Sequence, residues 1–364
     1  MRAALALALA LPLGGCNGRS ADKAAAPAAT QPAGRTSTGN AVSRPAGDSA
    51  ADECQRKPVA NPASLRIAVV PMGATHEFWK SIHAGAVKAE LEIPGVQIIW
   101  KAPLKEGDRE AQVNIVENFI NAGVSGIVLA PTDNVALLKP VRAASQAGIG
   151  VVVADTDLNG EICRDYASVV ATDNYAGGCK GARRLGQLLD GKGDVLLLRC
   201  QVGFLSTMRR EQGFLDTIAK EFPGVRIVSS DQYGGATAES AYAKAENLLS
   251  RFPKLDGIFC PNESTTFGML RALQASGRAG KVKFVGFDSS DKLIQALERG
   301  ELHGLVLQDP LHMGYTAVRT LAAYLRGEKV RTRIDTGSAV ATPENRNEPR
   351  IRELLSPPIG KYLQ

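Results

Sequence analysis

The chain has 364 residues, of which 44% are apolar and 22% charged, and it carries a net charge of +6. This length suffices for one or two domains with buried cores. The Lys and Arg residues are scattered, so the positive charge does not argue for a nucleic-acid partner, and we expect none. No apolar run reaches the ~18 residues of a membrane span.

The first 16 residues predict an export signal. Met1 and Arg2 precede a short apolar run, and two glycines lead to Cys16. A charged start, an apolar core and small residues before a cleavage site are typical of a secretory signal peptide. A cysteine at that junction resembles the lipobox of bacterial lipoproteins. We therefore predict a signal peptide over 1–15 and lipidation of Cys16; the alternative is an ordinary signal peptide with an incidental cysteine.

The segment 16–64 is rich in Ala, Pro, Gly, Ser and Thr and has almost no large apolar side chains. Such a composition is typical of disordered chain, so the sequence predicts a tether between a lipid anchor and a folded body. Five further cysteines follow Cys16: Cys54, Cys163, Cys179, Cys200 and Cys260. Export allows disulfides, and the spacings fit no zinc pattern, so we expect no metal site.

Residues 67–90 predict a buried strand, a turn with proline and glycine, and an amphipathic helix. The turn places His76, Phe78 and Trp79 at the carboxyl end of a strand and the amino end of a helix. In open α/β sheets, ligands bind at such positions. The alternative is that Phe78 and Trp79 only pack the helix against the sheet.

From residue 65 onward, apolar strands alternate with amphipathic helices. The strands are predicted at 66–70, 96–100, 126–130, 150–154, 168–171, 194–199, 226–229, 257–260, 283–286 and 302–307. This alternation predicts an α/β fold built from parallel sheets with right-handed crossovers. About ten strands are too many for one twisted sheet, so we predict two lobes, each with a smaller doubly wound sheet.

Polar residues follow many of these strands at their carboxyl ends. They are Thr132, Asp133, Asp155, Asp173, Asn262, Asp288, Ser289 and Gln308. Each could cap a helix, which is the interpretation we prefer for Thr132-Asp133, Asp173 and Ser289. We favour ligand binding for the other four predicted groups, Asp155, Asn262, Asp288 and Gln308. Carboxylates and amides beside aromatic walls are suited to carbohydrate recognition, because they bond hydroxyls while a ring stacks on the aromatic face.

Eight stretches between residues 65 and 341 occur in a characteristic order and spacing: IAVVPMGATHEFW, GIVLAPTDNVAL, GVVVADTD, VVATDNYAGG, MRREQGF, IFCPNESTTFGMLRAL, KFVGFDSS and GLVLQDPLHMGY. In these stretches the chain resembles the ribose-binding-protein-like sugar receptors of bacterial ABC transporters, the type I periplasmic binding proteins. The resemblance implies two α/β lobes joined by a three-segment hinge. The implied bounds are 65–171 plus 309–336 for the N-terminal lobe, 172–308 plus 337–348 for the C-terminal lobe, and 349–364 for a tail.

The resemblance also implies which side chains bind the ligand. The ring-stacking pair falls on Phe78 and Trp79, and the remaining positions fall on His76, Asp155, Arg210, Asn262, Asp288 and Gln308. The sequence departs from the ribose binders at three positions. Thr156 replaces an arginine, Met72 replaces a small polar residue, and Ala236 replaces an aromatic, for which Tyr233 could substitute. A ligand larger than ribose, or differently substituted, is therefore expected. The implied fold also suggests a disulfide between Cys200 and Cys260.

The implied function is that of a substrate-binding lipoprotein of an ABC sugar importer. It would bind a sugar or sugar-like ligand by hinge closure, deliver it to ABC permease subunits, and work as a monomer in the periplasm or cell envelope, anchored to the membrane. No cofactor is expected. Two alternatives are a receptor for chemotaxis or a sensor kinase and a binder of a non-sugar solute such as a nucleoside. Enzyme activity is not expected, because His76-Glu77 begins an H-E-x-x-H motif that Lys80 breaks. A third alternative is a sugar-responsive transcription repressor. It would need an N-terminal helix-turn-helix, and the sequence instead predicts an export signal and a tether there.

Overall fold

The computed structural model describes residues 52–363. The predicted signal peptide, Cys16 and the first part of the tether lie outside these residues. Its strands are β1 (Glu53–Cys54), β2 (Leu65–Val70), β3 (Val96–Trp100), β4 (Gly126–Leu129), β5 (Gly150–Ala154), β6 (Ser168–Ala171), β7 (Lys192–Arg199), β8 (Gly224–Tyr233), β9 (Gly257–Phe259), β10 (Lys283–Phe287), β11 (Gly304–Leu307), β12 (Val330–Arg331), β13 (Arg333–Asp335) and β14 (Ala339–Ala341). Its helices are α1 (Glu77–Glu92), α2 (Arg109–Asn121), α3 (Leu138–Gln146), α4 (Asn174–Leu188), α5 (Leu205–Glu221), α6 (Ala238–Arg251), α7 (Glu263–Ala275), α8 (Asp291–Glu298), α9 (Pro310–Leu325) and α10 (Pro349–Leu355).

Two six-stranded sheets form two lobes. The sheet of the first lobe has the order β13-β6-β5-β4-β2-β3, and all of its pairs are parallel. The sheet of the second lobe has the order β14-β11-β10-β9-β7-β8, with only β14 antiparallel to its neighbour. Apolar clusters cover both faces of each sheet. The predicted α/β fold with two parallel-sheet lobes is thereby confirmed.

The chain passes between the lobes three times, after β6, after β11 and between β13 and β14. The carboxyl ends of the strands in both lobes meet at the cleft between them. The C-terminal segment also contacts both lobes: α10 packs its apolar side chains Ile351, Leu354 and Leu355 into the core of the second lobe, and the short 3-10 helix Ile359–Lys361 contacts α1 of the first.

Helices α4 and α5 approach each other through glycine. A Cβ atom on Gly178 would lie 1.9 Å from the carbonyl oxygen of Arg210, and one on Gly213 would lie 2.1 Å from that of Tyr175. Neither space can accept a side chain, so the two backbones touch. Because the backbone of Arg210 forms this contact, the packing of the two helices fixes the position of its Cα atom.

The prediction that the tether extends to residue 64 is wrong for residues 52–64, which are held on the first lobe. Strand β1 pairs with β12, the amide of Val59 donates to the carbonyl of Leu325, and Cys54 forms a disulfide with Cys163. These bonds fix a segment whose composition alone is typical of disordered chain.

The suggested disulfide between Cys200 and Cys260 is also wrong. Both thiols are free and buried, although the two cysteines directly follow the neighbouring strands β7 and β9. The two side chains pack into different apolar clusters, one with residues of the first lobe and one inside the second. Adjacent strands therefore do not bring these two sulfur atoms together.

Candidate functional site

A cavity lies in the cleft between the lobes, and all eight side chains predicted to bind a ligand line it. These are His76, Phe78 and Trp79 from α1 and the turn before it, Asp155 after β5, Arg210 from α5, Asn262 before α7, Asp288 after β10, and Gln308 after β11. Six further side chains complete the lining: Met72, Glu106, Phe204, Ser206, Thr207 and Glu263. Both lobes contribute polar groups to the same enclosed space.

The aromatic pair at the start of α1 forms one wall. The rings of Phe78 and Trp79 meet edge to face, with centroids 4.8 Å apart, and both side chains are buried. The indole Nε1 of Trp79 donates to a carboxylate oxygen of Glu106 at 2.8 Å. This bond fixes the indole plane, so the wall is rigid before any ligand arrives. Such a wall suits the apolar face of a ring.

Arg210 stands at the centre of the site and is 2% exposed. Its Nε donates to Asn174 at 2.8 Å and its Nη1 to the carbonyl of Pro261 at 3.0 Å. Its guanidinium lies 4.0 Å from the centroid of the Phe287 ring. Bonds in several directions hold the planar group in one orientation, as guanidinium geometry allows.

The guanidinium of Arg210 lies between two aspartates, 4.0 Å from Asp155 and 3.8 Å from Asp288. Burial raises the pKa of Asp155 to about 7, against the lowering effect of Arg210 and with further raising effects from Asp288 and Glu106. Burial likewise raises the pKa of Asp288. One cation therefore compensates two carboxylates that are both costly to ionise.

Asp155 and Asp288 occupy corresponding places in the two lobes. Each follows a central parallel strand, and each backbone amide donates to the next strand, to Val170 and Val306 respectively. Both residues have a positive φ, of 65° and 67°. This left-handed conformation costs about 1–3 kcal/mol and is concentrated at functional sites, and aspartate tolerates it better than most residues. It turns each carboxylate toward the cleft.

Asp288 is held by two donors of its own lobe. Gln308 donates through Nε2 to one carboxylate oxygen at 2.7 Å, and the amide of Glu263 donates to the other at 3.0 Å. The remaining amide oxygen of Gln308 is buried and has no hydrogen-bond partner among the described residues. A buried acceptor without a donor is rare in folded proteins, and here it borders the cavity.

Asn262 caps a helix and also borders the cavity. Its Oδ1 accepts from the amide of Thr265 as the N-cap of α7, and the residue lines the cavity. The predicted capping role of Asp173 is confirmed, because its carboxylate accepts from the amide of Ala176 at the start of α4. The same prediction is wrong for Ser289, since Ser290 is the capping position of α8.

Glu263 joins the lobes directly. Its carboxylate accepts from the backbone amides of Glu77 and Phe78, at 3.4 Å and 3.3 Å, at the first turn of α1. The free amides and the dipole of a helix N-terminus favour a negative charge there. Burial raises the pKa of Glu263 to about 7, against the lowering effect of His76. Because α1 belongs to the first lobe and Glu263 to the second, this contact bridges the cleft.

His76 forms an ion pair inside the cavity wall. Its Nδ1 lies 2.7 Å from the Glu106 carboxylate. Burial alone would lower the pKa of His76, but Glu106, together with Glu263 and Asp288, raises it to about 9. The imidazole is therefore charged at neutral pH. Its contribution to stability is present in full below 6.5 and is lost as the pH rises through about 9.

We expect NMR titration of the ligand-free protein to show this pair directly. The chain has four histidines, so their ring signals can be resolved and assigned with a His76→Gln variant. One ring should titrate near pH 9, because Glu106 stabilises its charged form. His303 supplies the contrast: burial, with Lys283 and Arg184, lowers its pKa to about 4. A midpoint for His76 near 6.5 would contradict the ion pair.

The pattern of strands and helices did not reveal several of the lining side chains. Glu106 and Phe204 lie in loops, where no periodic pattern marks a position, and Glu263 is the first residue of α7 beside the predicted Asn262. Phe204 supplies the aromatic side chain of the second lobe in the cavity. Tyr233, considered for that role, does not line the cavity and stands beside Arg199, whose guanidinium faces its ring. The hydroxyl of Thr156 is buried and has no partner among the described residues.

Comparison with known proteins identifies the family. A family model described as "Periplasmic binding protein domain" matches residues 67–329. The chain belongs to this family.

Several relatives share most of this periplasmic binding protein's length. The D-allose-binding periplasmic protein of Escherichia coli (strain K12) is 28% identical over 74% of this chain and 87% of its own. The structure of the periplasmic component of an ABC-type sugar transport system from Hahella chejuensis has 35% identity and a TM-score of 0.73, covering 76% of this chain and 99% of its own. An ABC transporter solute binding protein from Agrobacterium vitis, with bound D-fucose, has 33% identity and a TM-score of 0.77, covering 80% and 100%.

Membership of this family confirms two expectations from the sequence. The relatives are binding proteins of a non-enzymatic family, and the family is periplasmic. Within residues 52–363, no cluster of three or more His, Cys, Asp or Glu side chains is arranged to hold a metal ion. Over the same residues, no helix of this periplasmic binding protein is long and apolar enough to span a membrane.

Proposed function

We propose that this protein is the substrate-binding lipoprotein of an ABC importer and that it captures a monosaccharide or a similar small polyhydroxy solute. The observation that carries the proposal is the cavity itself, where aromatic rings and buried hydrogen-bonding groups of both lobes converge. Rings stack on the apolar face of a sugar, and carboxylates and amides bond its hydroxyls. The relatives named above, which bind sugars or serve sugar transport, support the same class of ligand.

The proposed mechanism is closure of the two lobes around the solute. Phe78, Trp79 and Asp155 would receive it on the first lobe, and Arg210 and Asp288 would contact it from the second lobe. Closure requires contacts that exist only in the closed state, and the bond from Glu263 to α1 is one of these. The closed form would then present both lobes to the membrane permease.

The proposed location is the periplasm or cell envelope, with the chain anchored to a membrane by lipid. Lipidation of Cys16 would anchor the chain, and residues 17–51 would let the folded body reach the permease. Acyl chains bind a bilayer with about 0.8 kcal/mol per buried CH₂, so several chains hold a protein firmly. Labelling with a radioactive fatty acid, compared between the natural chain and a Cys16→Ser variant, tests this part.

Calorimetric titration tests the proposed function. The sample is the chain from residue 17 onward, called the exported chain below, which lacks the predicted lipidation site Cys16 but keeps Cys54. It is titrated with pentoses, hexoses, their deoxy and amino forms, polyols and nucleosides. We expect one tight ligand and a change of tryptophan fluorescence, because a ring stacked at the aromatic wall alters the surroundings of Trp79. Absence of heat from every compound, with protein shown to be folded and free of bound ligand, would overturn the proposal.

The second tryptophan provides a matched control. Trp100 stacks on His83 at a centroid distance of 4.2 Å and does not line the cavity. The fluorescence change should therefore persist in a Trp100→Phe variant and disappear in a Trp79→Phe variant. The opposite result would show that the ligand does not bind against the aromatic wall.

A further inference from the structure

The cavity carries more negative than positive charge. Four of its lining residues are acidic, namely Glu106, Asp155, Glu263 and Asp288, and only Arg210 and His76 can be cationic. Arg210 and a charged His76 offset two of these carboxylates, and two backbone amides at the start of α1 donate to a third, Glu263. Asp155 is left with the weakest compensation, since its nearest cation is 4.0 Å away. In the empty cavity a proton can neutralise this buried carboxylate, whereas a cationic group of a bound solute would compensate it directly.

Most hydrogen-bond donors of the cavity are already occupied. Trp79 and His76 both direct a ring nitrogen at Glu106, and Asn262 donates to Ser264. Arg210 uses Nε and Nη1 on groups of its own lobe. Its remaining nitrogen, Nη2, stands 4.0 Å from Asp155, beyond hydrogen-bond distance.

Two buried acceptors of the cavity have unused capacity. The Oε1 atom of Gln308 has no donor, although the residue is 3% exposed. Asp155 accepts from the hydroxyl of Ser206 and has no ion pair closer than 4.0 Å among the described residues, so its carboxylate can accept further bonds. An ideal occupant therefore brings several donors and a positive charge. An ammonium group has three donors and no acceptor, whereas a hydroxyl brings one donor and no charge.

We propose that the solute bears a protonated amine, as in an amino sugar or an amino-substituted polyol. This inference rests on the proposed function, because it names the ligand class of the same cavity. The ammonium would bond acceptors such as Asp155 and Gln308 Oε1, while ring hydroxyls occupy the other polar groups and the ring lies on the aromatic wall. Hydrogen bonds between charged groups are roughly twice as strong as neutral ones, which favours the amine over the hydroxyl.

The test compares compounds that differ in one substituent. Calorimetry at pH 7.5 measures the affinity of the exported chain for D-glucose and D-glucosamine, D-galactose and D-galactosamine, D-mannose and D-mannosamine, and myo-inositol and an amino-deoxy-inositol. The N-acetyl form of each amine keeps its shape and removes its charge. In the pair that fits the cavity, we expect the amine to bind about tenfold tighter or better than the hydroxyl compound, and N-acetylation to abolish this advantage.

Two variants locate the effect. Asp155→Asn keeps the shape of the side chain and removes its charge, so the affinity ratio of amine to hydroxyl compound should fall several-fold. Asp173→Asn makes the same change at an exposed position outside the cavity and should leave the ratio unchanged. The ratio is informative even where Asp155→Asn weakens all ligands.

The outcomes separate this inference from the proposed function. If the neutral compound binds as tightly as its amine, or tighter, in every pair that binds, the amine proposal is overturned and sugar binding stands. If no member of the panel binds, charged or neutral, the proposed function fails and the inference fails with it.

Discussion

Replacing Arg210 by methionine should lower the free energy of unfolding of the ligand-free protein by about 3–5 kcal/mol at pH 8. The methionine keeps much of the apolar stem but leaves Asp155 and Asp288 as buried carboxylates without a cation. It also removes the donors to Asn174 and to the carbonyl of Pro261. Equilibrium urea unfolding, followed by circular dichroism, measures the loss.

The size of this loss should depend on pH. Without Arg210, the pKa values of both aspartates rise further, so the folded variant takes up protons that the unfolded chain does not bind. A carboxyl whose pKa is raised in the folded state contributes less to the free energy of unfolding as the pH rises. The variant should therefore lose less unfolding free energy at pH 5 than at pH 8. Adding Asp155→Asn and Asp288→Asn should restore much of the stability, because the buried charges are then gone.

The neighbouring residue provides the matched control. Arg209 precedes Arg210 in α5 and is exposed, so Arg209→Met should change the unfolding free energy by about 0.5 kcal/mol or less. Equal losses at the two positions, or a loss at Arg210 that is the same at pH 5 and pH 8, would contradict the role of Arg210 as the cation between two carboxylates.

The fold and part of the site could be predicted from the sequence because both depend on patterns among residues that are close together in the chain. Alternation of apolar strands and amphipathic helices predicts parallel sheets, and a polar residue directly after a strand must lie at the sheet's carboxyl edge. Asp155, Asp288 and Gln308 satisfy this rule, and the structure places all three in one cavity. Their assignment as ligand-binding residues remains a prediction for the titrations above.

The rest could not be predicted because it depends on contacts between distant segments. Glu106 reaches the cavity from a loop, and the partner of Glu263 is a helix terminus of the other lobe. Residues 52–64 have a composition that favours disorder and are ordered only through bonds to the first lobe. No spacing of residues in the sequence indicates any of these contacts.

For the same reason, the sequence pattern did not predict the excess of acidic side chains in the cavity. Local pattern indicated Asp155 and Asp288, and the family resemblance added Arg210, which together make a nearly balanced set of charges. Glu106 and Glu263 became visible only through the tertiary structure, and they change the charge of the site. The proposed amine-bearing ligand therefore depends most on the residues that the sequence pattern did not reveal.

Removing the disulfide between Cys54 and Cys163 should lower the free energy of unfolding by about 2–5 kcal/mol, because the bond limits the freedom of the unfolded chain. The two cysteines are 109 residues apart, and the stabilisation expected from chain entropy grows with that separation. The Cys54→Ser, Cys163→Ser double variant of the exported chain is compared with the natural sequence by urea unfolding.

Three features make this test specific. Cys179, Cys200 and Cys260 are free and buried, so thiol titration of the unfolded, unreduced chain from residue 17 onward should find three thiols, and five after reduction. A reductant should destabilise the natural sequence but not the double variant. Neither Cys54 nor Cys163 lines the cavity, so the ligand's affinity for the folded variant should stay unchanged. Five free thiols before reduction would contradict the bond, and equal stability of the two chains would show that β1 and its neighbouring contacts hold the segment without it.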